Sequence, residues 1–164
     1  MYPSFIVEYG VAPHHLSKKV FIGIVKWLRE TRVEAKHTGR KLEADALKIV
    51  INRIYGALND AMDYLYDPEC TYTVTINLQL LLCGLIEAFE LNNFDVLSAN
   101  TDGLLVRLPL NRQGVFKHIC NEWSVYSKLD LETEKFEKYC RSAVNDYIAV
   151  GYGFYDALQE YNRC

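Results

Sequence analysis

Two helical stretches separated by a short turn constrain the fold of this chain more than any other feature of its sequence. The first stretch runs from Ser17, a suitable N-cap, to about Lys36 and stops at His37-Thr38-Gly39. The second starts near Leu42, is predicted to be interrupted or bent at Gly56, and continues to about Tyr66. Because the connection has only a few residues, the two helices are predicted to pack as an antiparallel pair.

The rest of the chain alternates between helical and strand patterns. In the first helix of the pair, helical spacing predicts a buried face made of Val20, Ile24, Trp27 and Leu28. The other predicted elements are a strand or turn over residues 1–9, a third helix capped by Thr73 or Thr75, strands over 94–98 and 104–108, a helix over 112–126, strands over 128–134, 136–143 and 147–150, and a short helix after Gly153. We therefore predict an α+β fold, with helices packed on one side of a small antiparallel sheet and the helical pair beside it.

The positive charge of the chain is concentrated in the helical pair. Residues 14–53 contain ten basic and four acidic side chains, whereas the remaining residues contain eight basic and seventeen acidic ones. A basic segment on an acidic body indicates a site for an anion. The alternative is an ordinary solvated helix surface, which also explains a run of charges.

The positions of three cations sharpen the anion hypothesis. Arg32 and Lys36 are four residues apart and share one helix face, and Lys48, Asn52 and Tyr55 share a face of the second helix. If the turn lies at Gly39, Lys48 returns beside the first two cations, an arrangement suited to a triphosphate. Three cations that extend independently into solvent are the alternative.

Composition and motif searches exclude other classes. Half of the residues are hydrophobic, which excludes a disordered chain. No apolar run is expected to reach the ~18–20 residues that cross a bilayer, so no membrane partner is predicted. The five scattered cysteines favour reduced thiols and a cytoplasmic location. No Walker loop or Ser–His–Asp set is found.

The Asn100-Thr101-Asp102-Gly103 turn offers one carboxylate at a rigid tip, although such turns commonly bind nothing.

Taken in order, the motifs resemble family B DNA polymerases of a phage-like or mobile-element-like kind. Met1-Tyr2-Pro3-Ser4 is similar to the end of the family's first motif, D-x-x-S-L-Y-P-S. Ser98 to Gly103 is similar to the third motif, D-T-D-S or D-T-D-G. Arg32 and Lys36 match the R-x-x-x-K of the fingers helix. The second motif, K-x-x-x-N-S-x-Y-G, is matched at full spacing by Lys48, Asn52, Tyr55 and Gly56. The resemblance covers nearly the whole chain.

The resemblance implies roles for the matched residues in nucleotide binding. The triphosphate would be bound by Arg32, Lys36 and Lys48. Asn52, Tyr55 and Gly56 would line the pocket of the nascent base pair, where Gly56 allows close approach. Tyr2 would stack under the sugar and exclude a 2′-hydroxyl, which favours dNTPs.

The resemblance also implies a catalytic centre and a DNA-binding surface. Asp102 matches one of two essential carboxylates that bind two Mg²⁺ ions, and Asn100 replaces a second Asp of the same turn. Glu132 is a weaker candidate for an acidic neighbour of this site. The primer–template DNA would contact Gly56, Thr101 and Tyr147, of which Tyr147 lies where the family has K-K-x-Y. The role of Arg53, which replaces a Ser of the family, is not evident.

One departure from the family concerns the Asp that opens the first motif, which has no counterpart in this sequence. We therefore expect the chain to be part of a longer or split polymerase, to be inactive alone, and to have the missing N-terminal part as a partner. The expected divisions are palm over residues 1–13 and 61–150, a fingers helical hairpin over 14–60, and the start of a truncated thumb or connecting segment over 151–164. A phage origin would give the host-cell cytoplasm as its location.

Two alternatives stay open at this point. The first is a non-catalytic module that binds nucleotides or nucleic acid and retains the palm and fingers fold. The second is a structural interaction domain in which the motif matches are coincidental.

Overall fold

The computed structural model of the protein describes residues 1–100, 103–143 and 146–151. The chain divides into two compact units, Met1–Asp130 and Leu131–Cys164. The first unit contains the helices α1 (Tyr2–Tyr9), α2 (Lys18–His37), α3 (Lys41–Ala57), α4 (Pro68–Leu91) and α5 (Gln113–Ser127), and the strands β1 (Val96–Ala99) and β2 (Leu104–Val106). The second unit contains β3 (Phe136–Ala143) and β4 (Asp146–Gly151). The predicted α+β class is confirmed.

The predicted antiparallel helical pair is formed by α2 and α3. Gly39 adopts a φ of 73°, the left-handed conformation that glycine tolerates without strain, and the chain reverses there. The amide of Arg40 donates to the carbonyl oxygen of Ala35 at 2.9 Å, which closes the turn. Ala35 and Ala44 are buried near this turn, and their small side chains let the two helices approach closely.

Of the four residues predicted for the buried face of α2, Leu28 is buried and the other three are exposed. Val20, Ile24 and Trp27 are 59%, 51% and 61% exposed. The buried side chains of α2 are Phe21, Val25, Leu28 and Ala35. Residues 20, 24 and 27 have the same spacing as residues 21, 25 and 28, so contact with α1 and α3, rather than periodicity, selects which of these residues are buried.

Residues 1–9 form the helix α1 instead of the predicted strand or turn. Pro3 lies in the first turn of α1, where its missing N–H has no intrahelical partner to lose. Gly10 ends the helix with a φ of 66°. Phe5 and Ile6 are each 2% exposed and anchor α1 in the core of the unit.

The second helix of the pair ends at Ala57, directly after the predicted interruption at Gly56, and the predicted continuation to Tyr66 is not helical. In the segment after Ala57, aspartate side chains favour turns over a helix. Asp60 accepts a hydrogen bond from the amide of Met62, and Asp63 accepts one from the amide of Leu65. Such local bonds from side chain to backbone compete with helical hydrogen bonds and favour turns.

Helix α4 begins earlier than predicted, because Asp67 rather than Thr73 or Thr75 caps it. The Asp67 carboxylate accepts the amide hydrogen of Cys70 at 2.9 Å, and Pro68 occupies the first turn. Periodicity predicts a core stripe of Leu78, Leu81, Leu82, Leu85 and Phe89; all of these are buried except Leu81, which is partly exposed.

Helix α4 also corrects the expectation that no apolar segment is long enough to cross a membrane. Pro68–Leu91 has 24 residues and a mean hydropathy of 1.6 over its most apolar window. By length and composition alone it could span a bilayer, a test that the core helix of a water-soluble protein also passes.

The β1–β2 hairpin is attached to the carboxyl end of α4. Antiparallel pairing joins Ala99 to Leu104, as the sequence predicts. The Arg112 guanidinium donates to the carbonyl oxygens of Asn92 and Asn93 at 2.6 and 3.0 Å, and it lies 4.4 Å from the centre of the Phe94 ring. The start of β1 is therefore fixed to the end of α4 and to the segment that leads into α5.

The strands of the second unit form a separate ladder. β3 pairs with β4 in antiparallel fashion, with Arg141 opposite Tyr147 and Tyr139 opposite Ala149. The described residues thus contain two two-stranded ladders instead of the single predicted sheet. Residues 128–134, predicted as a strand, have no strand structure. The helix predicted after Gly153 lies outside the described residues.

Candidate functional site

Residues from the first and second motifs meet where α1 packs against α3. The rings of Tyr2 and Tyr55 stack with their centres 4.2 Å apart and their planes 9° from parallel. Both side chains are partly buried. Two tyrosines that the sequence assigns to one nucleotide pocket are therefore in direct contact, although they lie on different helices.

The opposite end of the Tyr55 side chain contacts α4. Its hydroxyl lies 2.6 Å from Oγ1 of Thr75. The Thr75 hydroxyl in turn donates to the carbonyl oxygen of Thr71 at 2.8 Å. Tyr55 is thus held on its ring face by α1 and at its hydroxyl by α4.

The α3 surface next to Tyr55 is open. A Cβ atom placed on Gly56 would have no heavy atom within 4 Å beyond the helix's own nearby backbone. Asn52 lies one helical turn earlier and is exposed. The two residues leave room for a planar group to approach the helix.

The three predicted phosphate-binding cations lie on the α2–α3 pair, with different exposures. Lys36 and Lys48 are exposed, whereas Arg32 is partly buried. The Nε atom of Arg32 is buried, and no hydrogen-bond acceptor among the described residues reaches it. A buried donor without an acceptor is costly, so this guanidinium suits an added anion.

Other cations of the basic segment are neutralised by neighbouring carboxylates. Arg40 pairs with Glu43 at 2.8 Å, and Lys26 lies 3.9 Å from Glu30. In the part of the chain that the structure describes, no carboxylate forms an ion pair with Arg32 or Lys48. The positive charge available to an anion is therefore smaller than the count of basic residues suggests. Arg32 and Lys48, two of the predicted phosphate ligands, contribute to it.

The catalytic carboxylate Asp102 and its neighbour Thr101 lie outside the described residues. The residues on either side of them close the turn, because the amide of Asn100 donates to the carbonyl oxygen of Gly103 at 3.0 Å. The side-chain oxygen of Asn100 lies 3.3 Å from where a Cβ of Gly103 would be, so a larger residue at 103 would crowd this turn.

The described ranges 1–100, 103–143 and 146–151 contain no group of three His, Cys, Asp or Glu side chains that could bind a metal ion. Glu132, the weaker acidic candidate, lies in the second unit and is exposed. The Mg²⁺ site expected at Asp102 is therefore not tested by the described residues.

On the β3–β4 ladder, Tyr147 belongs to a small aromatic cluster. Its ring stacks on that of Tyr139 with centres 5.2 Å apart, and Arg141 lies directly across the ladder from it. Tyr147 is 54% exposed. An aromatic side chain beside a cation on an exposed ladder is a surface suited to nucleic acid.

Comparisons with known proteins connect this geometry to polymerases. The chain is 31% identical over 77 residues to DNA polymerase II of Escherichia coli (strain K12), a match of 47% of this chain and 10% of that protein. Its fold matches the structure of the family B DNA polymerase from the hyperthermophilic archaeon Pyrobaculum calidifontis, with a TM-score of 0.68 over 93% of this chain and 25% of that one, at 18% identity. No family model matches the chain.

The chain has the fold of part of a family B DNA polymerase. The resemblance indicated by the motifs is therefore confirmed. The chain spans about a tenth of the curated relative and a quarter of the solved structure.

Within this polymerase fold, the structure gives Arg53 a role that the sequence did not suggest. Its guanidinium lies 2.8 Å from Asp63 and 3.3 Å from Asp60, the same two aspartates that form the turns after α3. Arg53 therefore ties the end of α3 to the following segment. Ion pairs seven and ten residues apart depend on the path of the loop, which no local pattern reveals.

Sequence reasoning also missed the contact between His14 and Asp67. Asp67 accepts hydrogen bonds from the amide and the imidazole of His14 at 2.8 and 2.9 Å. Burial alone would raise the pKa of Asp67, but the amides of Cys70 and His14 and the His14 ring outweigh it and lower the pKa to about 2. The hydrogen bond to Asp67 raises the pKa of His14. This pair fixes the start of α4.

Thr75 is the third missed residue, since no motif includes it. The sequence pattern proposed it only as a helix cap. Its contact with Tyr55 joins residues 20 positions apart on separate helices. The only available signal was a hydroxyl residue on the long third helix, which is too common to be informative.

Proposed function

We propose that this chain forms the nucleotide-binding and primer-extending part of a DNA-directed DNA polymerase, which adds a dNTP to the 3′-hydroxyl of a primer. The observation that carries the proposal is the stacking of Tyr2 on Tyr55, because it joins the two motifs that would surround the incoming nucleotide. In this proposal, residues 14–60 are the fingers, residues 1–13 and 61–150 are the palm, and residues 151–164 begin a thumb or connecting segment.

The triphosphate is bound by the α2–α3 pair. Arg32, Lys36 and Lys48 provide its charge-assisted hydrogen bonds. The buried Nε of Arg32 supports this assignment, because a phosphate oxygen would supply the acceptor that this N–H lacks. Lys48 and Lys36 are exposed, and their flexible ammonium groups can follow the phosphates from solvent into the site.

The base and sugar are bound at the other end of α3. Tyr2 lies beneath the sugar and excludes a 2′-hydroxyl by its position. Tyr55 backs the Tyr2 ring, and the open surface at Gly56 and Asn52 receives the nascent base pair.

The catalytic centre is completed by Asp102. This carboxylate would bind the Mg²⁺ ions of the intact enzyme, which supply charge stabilisation and activation of the primer hydroxyl. The template-primer DNA contacts Thr101, Gly56 and Tyr147. For Tyr147, the supporting observations are its exposure and the position of Arg141 across the ladder.

The nucleotide-binding part of the proposal is tested by equilibrium dialysis of the chain with labelled dATP and Mg²⁺. Lys48→Ala should weaken binding about tenfold, the effect of losing a hydrogen bond to a charged phosphate. Lys19→Ala removes the same charge from the far end of α2 and should leave the affinity unchanged. Equal losses in both variants would indicate non-specific attraction and would contradict the assignment.

The catalytic part is tested by primer extension. The sequence contains a match for only one of the family's two essential carboxylates, so the chain alone should not extend a primer. Addition of a polymerase fragment that carries the first-motif Asp should restore extension, and Asp102→Ala should abolish it. Saturable dATP binding without any restored extension would favour the alternative of a non-catalytic binding module.

A further inference from the structure

The hydrogen bond between Tyr55 and Thr75 has a defined direction. The carbonyl oxygen of Thr71 can only accept, so the single proton of the Thr75 hydroxyl is used in the bond to it at 2.8 Å. At 2.6 Å from Tyr55, the Thr75 oxygen must therefore accept the proton of the phenol. Tyr55 donates to Thr75, which donates to the backbone of α4.

This chain of bonds fixes the orientation of the Tyr55 ring. A tyrosine ring has two side-chain torsions, and an anchored hydroxyl leaves it little freedom to rotate. The Tyr2 ring lies parallel to it with the centres 4.2 Å apart, so Tyr55 is a surface against which Tyr2 packs. The position of Tyr2 thus depends on α4, although Tyr2 is on α1.

We propose that Thr75 is a positioning residue for the Tyr55–Tyr2 stack and thereby a determinant of selection between deoxyribose and ribose in the incoming nucleotide. The inference rests on the proposed function. A ring that excludes a 2′-hydroxyl must be held within a fraction of an ångström, and its support must come from fixed neighbours. Thr75 provides the anchor of that support from the long helix α4, one face of which is buried in the core.

Three variants at two positions isolate the hydroxyl. Thr75→Val keeps the shape of the side chain and removes the acceptor, whereas Thr75→Ser restores it. Thr73→Val makes the same exchange two residues away on the exposed side of α4 and serves as the matched control. Thermal unfolding by circular dichroism establishes that each variant is folded before it is used.

The first measurement is independent of nucleotide. In protein labelled with ¹³Cζ-tyrosine, the Tyr55 resonance is identified by its loss in Tyr55→Phe. It should shift in Thr75→Val, stay near its original position in Thr75→Ser, and stay unchanged in Thr73→Val. An unshifted Tyr55 resonance in Thr75→Val would mean that the bond does not anchor the ring and would overturn the inference.

The second measurement is the ratio of the affinities for dATP and ATP. Thr75→Val should lower this ratio about fivefold, the effect of losing one hydrogen bond, and Thr75→Ser should restore it. An unchanged ratio in a Thr75→Val chain that still binds dATP would overturn the inference alone. A wild-type chain that binds neither nucleotide would overturn the proposed function, and the inference with it.

Discussion

The two ends of α3 are built on different principles. At its carboxyl end, Tyr55 is stacked and hydrogen-bonded, and Leu58, directly after the helix, is completely buried. At its amino end, Leu42 is 88% exposed. In the middle, Lys48 points into solvent. One helix thus offers a rigid platform at one end and adaptable charged groups towards the other.

The difference matches what the two parts of a nucleotide require. A sugar is distinguished from its near relatives by shape, which needs fixed neighbours. A triphosphate is flexible and highly charged, and long cationic side chains can follow it. In the proposed function, the packed end would hold the sugar and the open part would bind the triphosphate.

The largest expected effect comes from one substitution made at both ends of α3. Leu58→Ala removes a fully buried side chain and should lower the free energy of unfolding by about 2–5 kcal/mol. Leu42→Ala at the exposed end should change it by less than ~0.5 kcal/mol. Urea denaturation followed by circular dichroism measures both. Similar losses would mean that the two ends do not differ in packing.

A smaller effect is expected at Asp67, where the segment that follows the packed end of α3 enters α4. Asp67→Ala removes the N-cap and should cost about 1 kcal/mol of stability. Asp67→Asn keeps a capping oxygen but loses the charge, so it should cost less at neutral pH. Denaturant titrations of the two variants at pH 7 make this comparison.

The charge of Asp67 also predicts the response to acid. Its pKa is lowered from 3.8 to about 2, so the stabilisation is complete above pH ~4 and is lost as the pH falls through about 2. The pKa of His14 is raised from 6.5, so its contribution is complete below pH 6.5 and is lost as the pH rises through the raised value. In wild type, the denaturation midpoint should decrease at acid pH as Asp67 becomes protonated. In Asp67→Asn this part of the decrease should be absent. A curve identical to that of wild type would contradict this assignment.

The smallest expected effect concerns the surface ion pairs of Arg53. Arg53→Met should lower the free energy of unfolding by only ~0.5 kcal/mol, because the Arg53 side chain is 61% exposed. Hydrogen exchange should nevertheless quicken at the amides of Met62 and Leu65, since their aspartate partners lose their tie to α3. Unchanged hydrogen exchange at both amides would show that the ion pairs of Arg53 do not stabilise these turns.

Periodicity and turn chemistry predicted most of the helices and strands of this fold. They failed where the same sequence pattern is compatible with two different structures. On α2, residues 20, 24 and 27 have the same spacing as residues 21, 25 and 28, so only the neighbouring helices decide which set is buried. Over residues 1–9, a short apolar run suits a strand or a helix, and Gly10 in the left-handed conformation selects the helix.

The candidate site could be predicted where residues are close in sequence or belong to a motif. The resemblance to the family selected Tyr2 and Tyr55, and the two rings are in contact, as a shared pocket would require. Thr75 could not be found in this way, because its contact with Tyr55 depends on how α3 and α4 are placed side by side. A side chain that acts through another residue belongs to no motif, so the spacing of residues in the sequence does not reveal it.

Arg112 has a mechanical consequence for the β1–β2 hairpin. Its guanidinium donates to the carbonyl groups of Asn92 and Asn93, directly after α4, and covers the Phe94 ring, so one side chain joins the end of the helix to the start of the strand. Because these contacts hold the segment before β1 against the end of α4, we expect the β1–β2 ladder to move together with α4 rather than independently of it.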